Sequence, residues 1–137
     1  LLQSMTKQKT RHGDLVLWEL TDGGASNNLD LYRNIVARYP KGDYAPESSW
    51  HLVWAKRADS QAFLEACVAH EQLFRQSRSY PRVVFWHAKM LEQQNRKPEA
   101  VRLYHQLSKA FPHHYYGYRA LARLNMLTKG TRDAGWQ

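Results

Sequence analysis

Between residues 98 and 111 apolar side chains fall at Ala100, Leu103, Tyr104, Leu107, Ala110 and Phe111, with polar residues in most of the gaps. An α-helix turns once every 3.6 residues, so this spacing lines one face with apolar groups and turns the other to water. Three more segments carry such a stripe: Leu29, Tyr32, Val36 and Tyr39; Phe63, Cys67, His70 and Phe74; Tyr116, Ala120, Leu124 and Leu127. The pattern predicts helices over about 14–20, 28–39, 46–58, 60–76, 81–95, 98–111 and 114–128.

The residues at the breaks fit these boundaries. Pro46, Pro81 and Pro98 stand where a first helical turn loses nothing by lacking a backbone N–H, and Glu47 and Glu99 place negative charge at the positive end of the helix dipole. Asn28 and Ser60 are N-cap candidates, and Asn95 suits the left-handed conformation that ends one helix before Pro98 opens the next. Thr21–Asn28 is a Gly-, Ser- and Asn-rich linker, and Lys129–Gln137 reads as a tail. The expected organisation is a partial helix and linker over 1–27, a helical domain over 28–128 and a C-terminal tail over 129–137. Leu1–Lys7 reads as a cut end, and both ends read as continuing into a longer chain.

The helices also repeat. Tyr32–Pro40 and Tyr104–Pro112 share aromatic, aliphatic, aromatic and proline positions 72 residues apart, and Tyr44 with Trp50 and His51 matches Tyr80 with Trp86 and His87 at half that offset, 36. A period of 36 is close to the roughly 34 residues of helix-turn-helix repeats, whose units bury their apolar faces only by stacking on neighbours. The fold class expected is all-α, with tetratricopeptide-like helix-turn-helix repeats forming a right-handed α-solenoid segment.

Composition narrows the function classes. One cysteine in 137 residues leaves no internal disulfide and no multi-cysteine metal cage. No apolar run approaches the roughly 18 residues of a membrane span. The net charge of +8 is concentrated late: Arg75 to Arg132 holds 12 Lys and Arg against Glu92 and Glu99. Such a surface suits an anionic partner, whether nucleic acid, anionic lipid, cell-wall carboxylates or an acidic protein face, or is simply solvated.

No catalytic, cofactor-binding or metal-binding constellation is evident. The adjacent pair His113–His114 points apart on a helix or turn and has no Asp, Glu or Cys nearby. His70–Phe74 opens like a zinc-protease helix but has Phe74 where the second histidine belongs. His51 and His87 share one repeat position, as packing or solvated residues would. Cys67 falls on an apolar stripe and reads as core, Gly23–Gly24 is followed by no phosphate-loop Lys, and no serine has a nucleophile-elbow setting. The aromatic residues are more informative. Trp50, Trp54 and Trp86 on repeat helices read mainly as core, while Tyr115, Tyr116, Tyr118, Arg119 and Trp86 are candidate contacts for a glycan or partner, because aromatic faces beside a guanidinium can form a sugar or peptide platform.

The stretches Phe85-Trp-His-Ala-Lys-Met-Leu-Glu-Gln-Gln-Asn-Arg-Lys-Pro-Glu-Ala-Val-Arg-Leu-Tyr104 and Phe111-Pro-His-His-Tyr-Tyr-Gly-Tyr-Arg-Ala-Leu-Ala-Arg-Leu124 resemble the helical superhelix of soluble lytic murein transglycosylases. The resemblance covers about residues 30–127, with its specific part at 85–124. It implies a noncatalytic domain that supports a lysozyme-like catalytic domain and helps hold peptidoglycan in the periplasm. Members of that family cleave glycan strands without water, using one glutamate. Glu47–Ser48 matches the catalytic Glu-Ser pair only superficially, since it lacks the Gly-Leu-Met-Gln segment that should follow, so Glu47 is not assigned that role. The partners implied are peptidoglycan or a neighbouring catalytic domain. The alternative is a tetratricopeptide-type protein-interaction adaptor of the cell envelope, and nucleic-acid binding, supported by charge alone, ranks last.

Overall fold

The computed structural model describes residues 13–135, with side chains to Lys129; the expectations for Leu1–Lys7 and for the last two residues of the tail lie outside the described residues. Among the described residues there are seven helices and no strand. They are α1 (13–20), α2 (Leu29–Arg38), α3 (Ala45–Trp54), α4 (Ser60–Leu73), α5 (Tyr80–Gln93), α6 (Lys97–Ala110) and α7 (Tyr115–Gly135). The chain packs as two compact units that part between Arg57 and Ala58.

In the first unit α2 packs against α3. Tyr32, Ile35 and Ala45 are fully buried. The α2 stripe turns inward at Ile35, while Val36, expected on that face, is half-buried. Trp18 of α1 stacks on Tyr44 and meets Tyr32 edge-on, at 5.2 and 6.4 Å between ring centres. The linker after α1 is a hydrogen-bonded turn. Thr21 is buried, its hydroxyl donates to the Trp18 carbonyl and accepts from the Gly24 N–H, and its own carbonyl accepts from Ser26. Asp22, Gly23 and Gly24 all take positive φ there.

In the second unit α5 packs against α4, α6 and α7, and α6 packs against α7. Phe85 sits fully buried at the centre, with the rings of Tyr104 and Tyr116 at 5.8 and 5.4 Å. The predicted α4 stripe is buried throughout: Phe63, Cys67, His70 and Phe74. On α6 the stripe is narrower than expected, because Ala100, Tyr104 and Leu107 are buried whereas Ala110 is exposed.

Local chemistry explains the boundaries. Pro46, Pro81 and Pro98 each lie in the first turn of a helix, as expected. Asn28 caps α2 through its side chain, but α4 is capped by Asp59, whose carboxylate accepts the Ala62 N–H, and the other candidate, Ser60, is the first helical residue. Helix α3 ends at Trp54 rather than near 58. Beyond it the ladder tightens to i→i−3 bonds, and Arg57 both donates to the Trp54 carbonyl and lies over the Trp54 ring. Helix α5 closes in a Schellman motif. Arg96 N–H donates to the Leu91 carbonyl and Asn95 N–H to that of Glu92, with Asn95 at φ +61°. Helix α7 continues to Gly135, past the expected end near 128.

A C-terminal turn geometry also recurs in the backbone. Tyr39, Phe74 and Phe111 are the C-caps of α2, α4 and α6, with φ/ψ of −130/56°, −126/41° and −131/59°. Each keeps its N–H on the carbonyl four residues back, and each carbonyl accepts an N–H three residues on, from Gly42, Ser77 and His114. One turn geometry thus recurs three times.

Candidate functional site

Helix α7 opens at Tyr115, and its i, i+4 spacing brings Tyr115 and Arg119 to the same face. Arg119 lies over the ring of Phe85 at 4.5 Å and over those of Trp86 and Tyr115, both at 5.7 Å. Phe85 is wholly buried and Arg119 half-buried, so the guanidinium roofs this part of the core. Tyr115 is exposed and Trp86 half-buried. Tyr116 packs beneath, meeting Tyr115 edge-on at 5.0 Å and Phe85 at 5.4 Å.

Of the five sequence candidates, Trp86, Tyr115, Tyr116 and Arg119 therefore meet in one cluster. Tyr118 is exposed and makes no ring contact with it among the described residues. Gly117 permits the arrangement, since a β-carbon there would lie 1.8 Å from the Phe111 carbonyl oxygen. The glycine lets the first turn of α7 press onto the end of α6, which sets Tyr116 against Phe85.

The cluster offers two π faces and a guanidinium, with no carboxylate or thiol among its members. It can bind and orient a ligand by stacking and charge-assisted hydrogen bonds. Elsewhere, no group of three His, Cys, Asp or Glu residues among the described residues could hold a metal ion. His114 has its Nδ1 engaged as acceptor of the Tyr116 N–H at 3.1 Å, so that nitrogen caps α7. Cys67 is fully buried, and burial, aided by Glu71, pushes its thiol well above the ordinary range, which removes the reactive thiolate.

Three polar contacts had no local signature in the sequence. His70 Nε2 lies 2.9 Å from Ser79 Oγ, Ser79 Oγ lies 2.8 Å from Ser77 Oγ, and Ser77 donates to the Phe74 carbonyl. With the Ser77 proton used there, Ser79 must donate to Ser77 and His70 to Ser79. That polarity leaves Ser79 accepting from the imidazole, the reverse of an activated serine, so the chain is a structural relay. Burial pushes His70 down to about 4, with Arg82 adding repulsion, and keeps it neutral near pH 7.

His87 Nδ1 lies 3.1 Å from both carboxylate oxygens of Glu71, tying α5 to α4. Its repeat counterpart His51 instead stacks on Tyr32 at 4.2 Å, so one register position serves two contacts. The third contact joins three helices. Glu92 accepts from Tyr104 at 3.0 Å and from Arg123 through both of its oxygens. Burial opposes ionisation of Glu92, but the Arg123 and Tyr104 hydrogen bonds outweigh it and hold the carboxyl below its usual range. Burial together with Glu92 pushes the Tyr104 phenol up. The visible hint was that Glu92 and Glu99 are the only acids from Arg75 to Arg132; Glu99 is held by Arg96.

Among the described residues no helix is long and apolar enough to cross a membrane. No protein-family model matches the chain, and no curated protein matches it.

Proposed function

We propose that this chain is a noncatalytic helical-repeat segment of a peptidoglycan lytic transglycosylase of the periplasm, a right-handed α-solenoid segment that supports a catalytic domain and helps bind cell-wall glycan. The observation that carries this reading is the platform of Trp86, Tyr115 and Arg119 on buried Phe85. Its members come from the two stretches that resemble that family, Phe85–Tyr104 and Phe111–Leu124. Aromatic faces suit the C–H faces of sugar rings, and the guanidinium suits hydroxyls and the carboxylates of the wall's peptide stems. The solenoid arrangement is supported by the 36-residue offset, by the recurring C-cap turn, and by the packing of α5 on both α6 and α7.

Titration of isotopically labelled protein with soluble peptidoglycan glycan fragments tests the platform. Resonances of the Trp86 indole and Tyr115 ring are expected to shift in a saturable way, and Arg119→Gln is expected to weaken the effect roughly tenfold, the loss of about 1.4 kcal/mol. Absence of shifts, or shifts confined to other residues, would count against it. The second reading, a tetratricopeptide-type protein-interaction adaptor of the cell envelope, is favoured by one separate observation, the exposed apolar face of α7.

A further inference from the structure

A cleft of about 400 Å³ opens in the first unit, lined by Asp14 of α1 and by Arg38, Tyr39, Lys41, Gly42 and Asp43 at the end of α2 and the turn that follows it. Its volume lies within the range of small-ligand clefts. Asp14 is only 8% exposed. Its Oδ1 accepts the N–H of the adjacent Leu15 at 2.9 Å. Among the described residues Oδ2 accepts no hydrogen bond and the carboxylate pairs with no cation, although Arg38 and Lys41 line the same cleft. A carboxylate nine-tenths out of water with one local donor is costly to keep, and the cost falls when further donors reach it.

The recurring C-cap turn shows how the carboxylate comes to line a cleft. Gly42, Ser77 and His114 hold one place in three copies of that turn, each donating its N–H to the carbonyl of the C-cap residue. At two of them the side chain serves the fold: Ser77 donates to the Phe74 carbonyl, and His114 Nδ1 accepts the Tyr116 N–H. Gly42 has no side chain, and a β-carbon there would stand 2.5 Å from Asp14 Oδ2. A β-carbon at Gly13 would likewise overlap the Tyr39 hydroxyl. Two glycines thus admit a carboxylate and a phenol to the walls of one cleft.

The lining selects the ligand. Asp14 and Asp43 are matched in number by Arg38 and Lys41, so a free cation and a free anion each meet repulsion as well as attraction. A neutral hydroxyl meets neither, because it donates to a carboxylate and accepts from a guanidinium or ammonium. Several hydroxyls on one small ring use both kinds of group at once.

We infer that this cleft binds a neutral sugar residue, Asp14 accepting from its hydroxyls and Arg38 and Lys41 donating to them. The site goes beyond the glycan platform of the second unit and does not depend on it.

The test is titration of the isotopically labelled full chain with glucose, with N-acetylglucosamine and with soluble peptidoglycan glycan fragments, following the Gly42 amide and the Tyr39 ring. Saturable shifts are expected, with Asp14→Asn raising the dissociation constant roughly tenfold or more, as loss of hydrogen bonds to a charged acceptor does. Gly42→Ala, which has no positive φ to hinder it but crowds Asp14 Oδ2, is expected to weaken binding as well. Tighter binding of the fragments than of the monosaccharides assigns the site to a sugar within a strand, and the reverse assigns it to a free sugar. Without ligand, the urea midpoint of Asp14→Asn is expected to equal or exceed that of the natural chain, since a buried unpaired charge is removed. A lower midpoint, the mark of a structural carboxylate, would overturn the inference. So would absence of shifts with all three probes, unchanged binding in Asp14→Asn, or tighter binding of methylammonium or acetate than of any sugar. Asp14→Asn is expected to leave glycan-induced shifts at Trp86 and Tyr115 unchanged, so failure here and failure of the platform are distinguishable.

Discussion

At Gly117 a single missing methyl group decides how two helices meet. The added carbon of an alanine would lie 1.8 Å from the Phe111 carbonyl oxygen, a backbone atom that cannot swing aside. Gly117→Ala is expected to cost about 2–3 kcal/mol, as other overpacked sites do, and to appear as a lower urea midpoint. Gly23→Ala provides the control: its φ is +61° but nothing lies within 4 Å, so only the left-handed penalty of roughly 1 kcal/mol applies.

His70 carries a different kind of information. Counted back four residues from the helix C-cap, its position matches Ile35 and Leu107, which are aliphatic, yet the imidazole is buried and held by the serine relay. In the unfolded chain it titrates near 6.5 and in the folded chain near 4. Folding therefore favours the neutral form. The contribution is complete above pH 6.5 and is lost as pH falls toward 4, about 3 kcal/mol in all. Urea midpoints measured from pH 7 to 4.5 are expected to fall for the natural chain and to flatten for His70→Gln. Glu92 acts lower: its depressed value means that its contribution is present above about 4.5 and lost as pH falls through the folded value.

At the level of the elements, the Schellman turn at Asn95 joins α5 to α6. Asn95→Gly is expected to be neutral or slightly stabilising, whereas Asn95→Ala is expected to cost roughly 1 kcal/mol, because alanine resists φ +61°. Thermal melts of the pair separate a backbone requirement from a side-chain one. The contact of Glu92 with Arg123 closes α7 onto α5. A double-mutant cycle with Glu92→Gln and Arg123→Gln is expected to give a coupling of about 1–2 kcal/mol, the range of a charge-assisted, partly buried pair.

Much of this level was legible in the sequence. Helical period, first-turn prolines and the left-handed asparagine act over one or two turns of chain, so Pro46, Pro81, Pro98 and Asn95 could be placed from neighbours alone. Where backbone geometry decides between adjacent residues, the sequence pattern points one position away: Asp59 and not the expected Ser60 caps α4, and Ile35 and not the expected Val36 enters the core. The Glu92–Arg123 contact spans 31 residues and has no local signal at all. Of the candidate site, Trp86, Tyr115, Tyr116 and Arg119 were named from residue type alone, and that they meet on Phe85 as a floor required the packing of α5 on α7.

At the scale of the whole molecule, aromatic residues recur along the sequence at a fixed offset and pack against other aromatic rings. Tyr44, Tyr80 and Tyr116 stand 36 residues apart, and their rings meet Trp18, Phe111 and Phe85 respectively. The stretch from Arg75 to Arg132 adds a strongly basic composition whose two acids are already held by arginines. Retention on an anionic polymer should therefore weaken as salt rises. Stacking on Trp86 and Tyr115 is less sensitive to salt than the charge term, so a residual binding at high salt is expected.

The most direct test of the proposed function is co-sedimentation with purified peptidoglycan sacculi, with the supernatant assayed for released glycan. The natural chain is expected to pellet with the sacculi, Tyr115→Ala with Arg119→Gln to pellet roughly tenfold less at unchanged helicity, and neither to release soluble glycan. A chain that stays in the supernatant, binds equally well without the platform, or releases glycan would contradict the account.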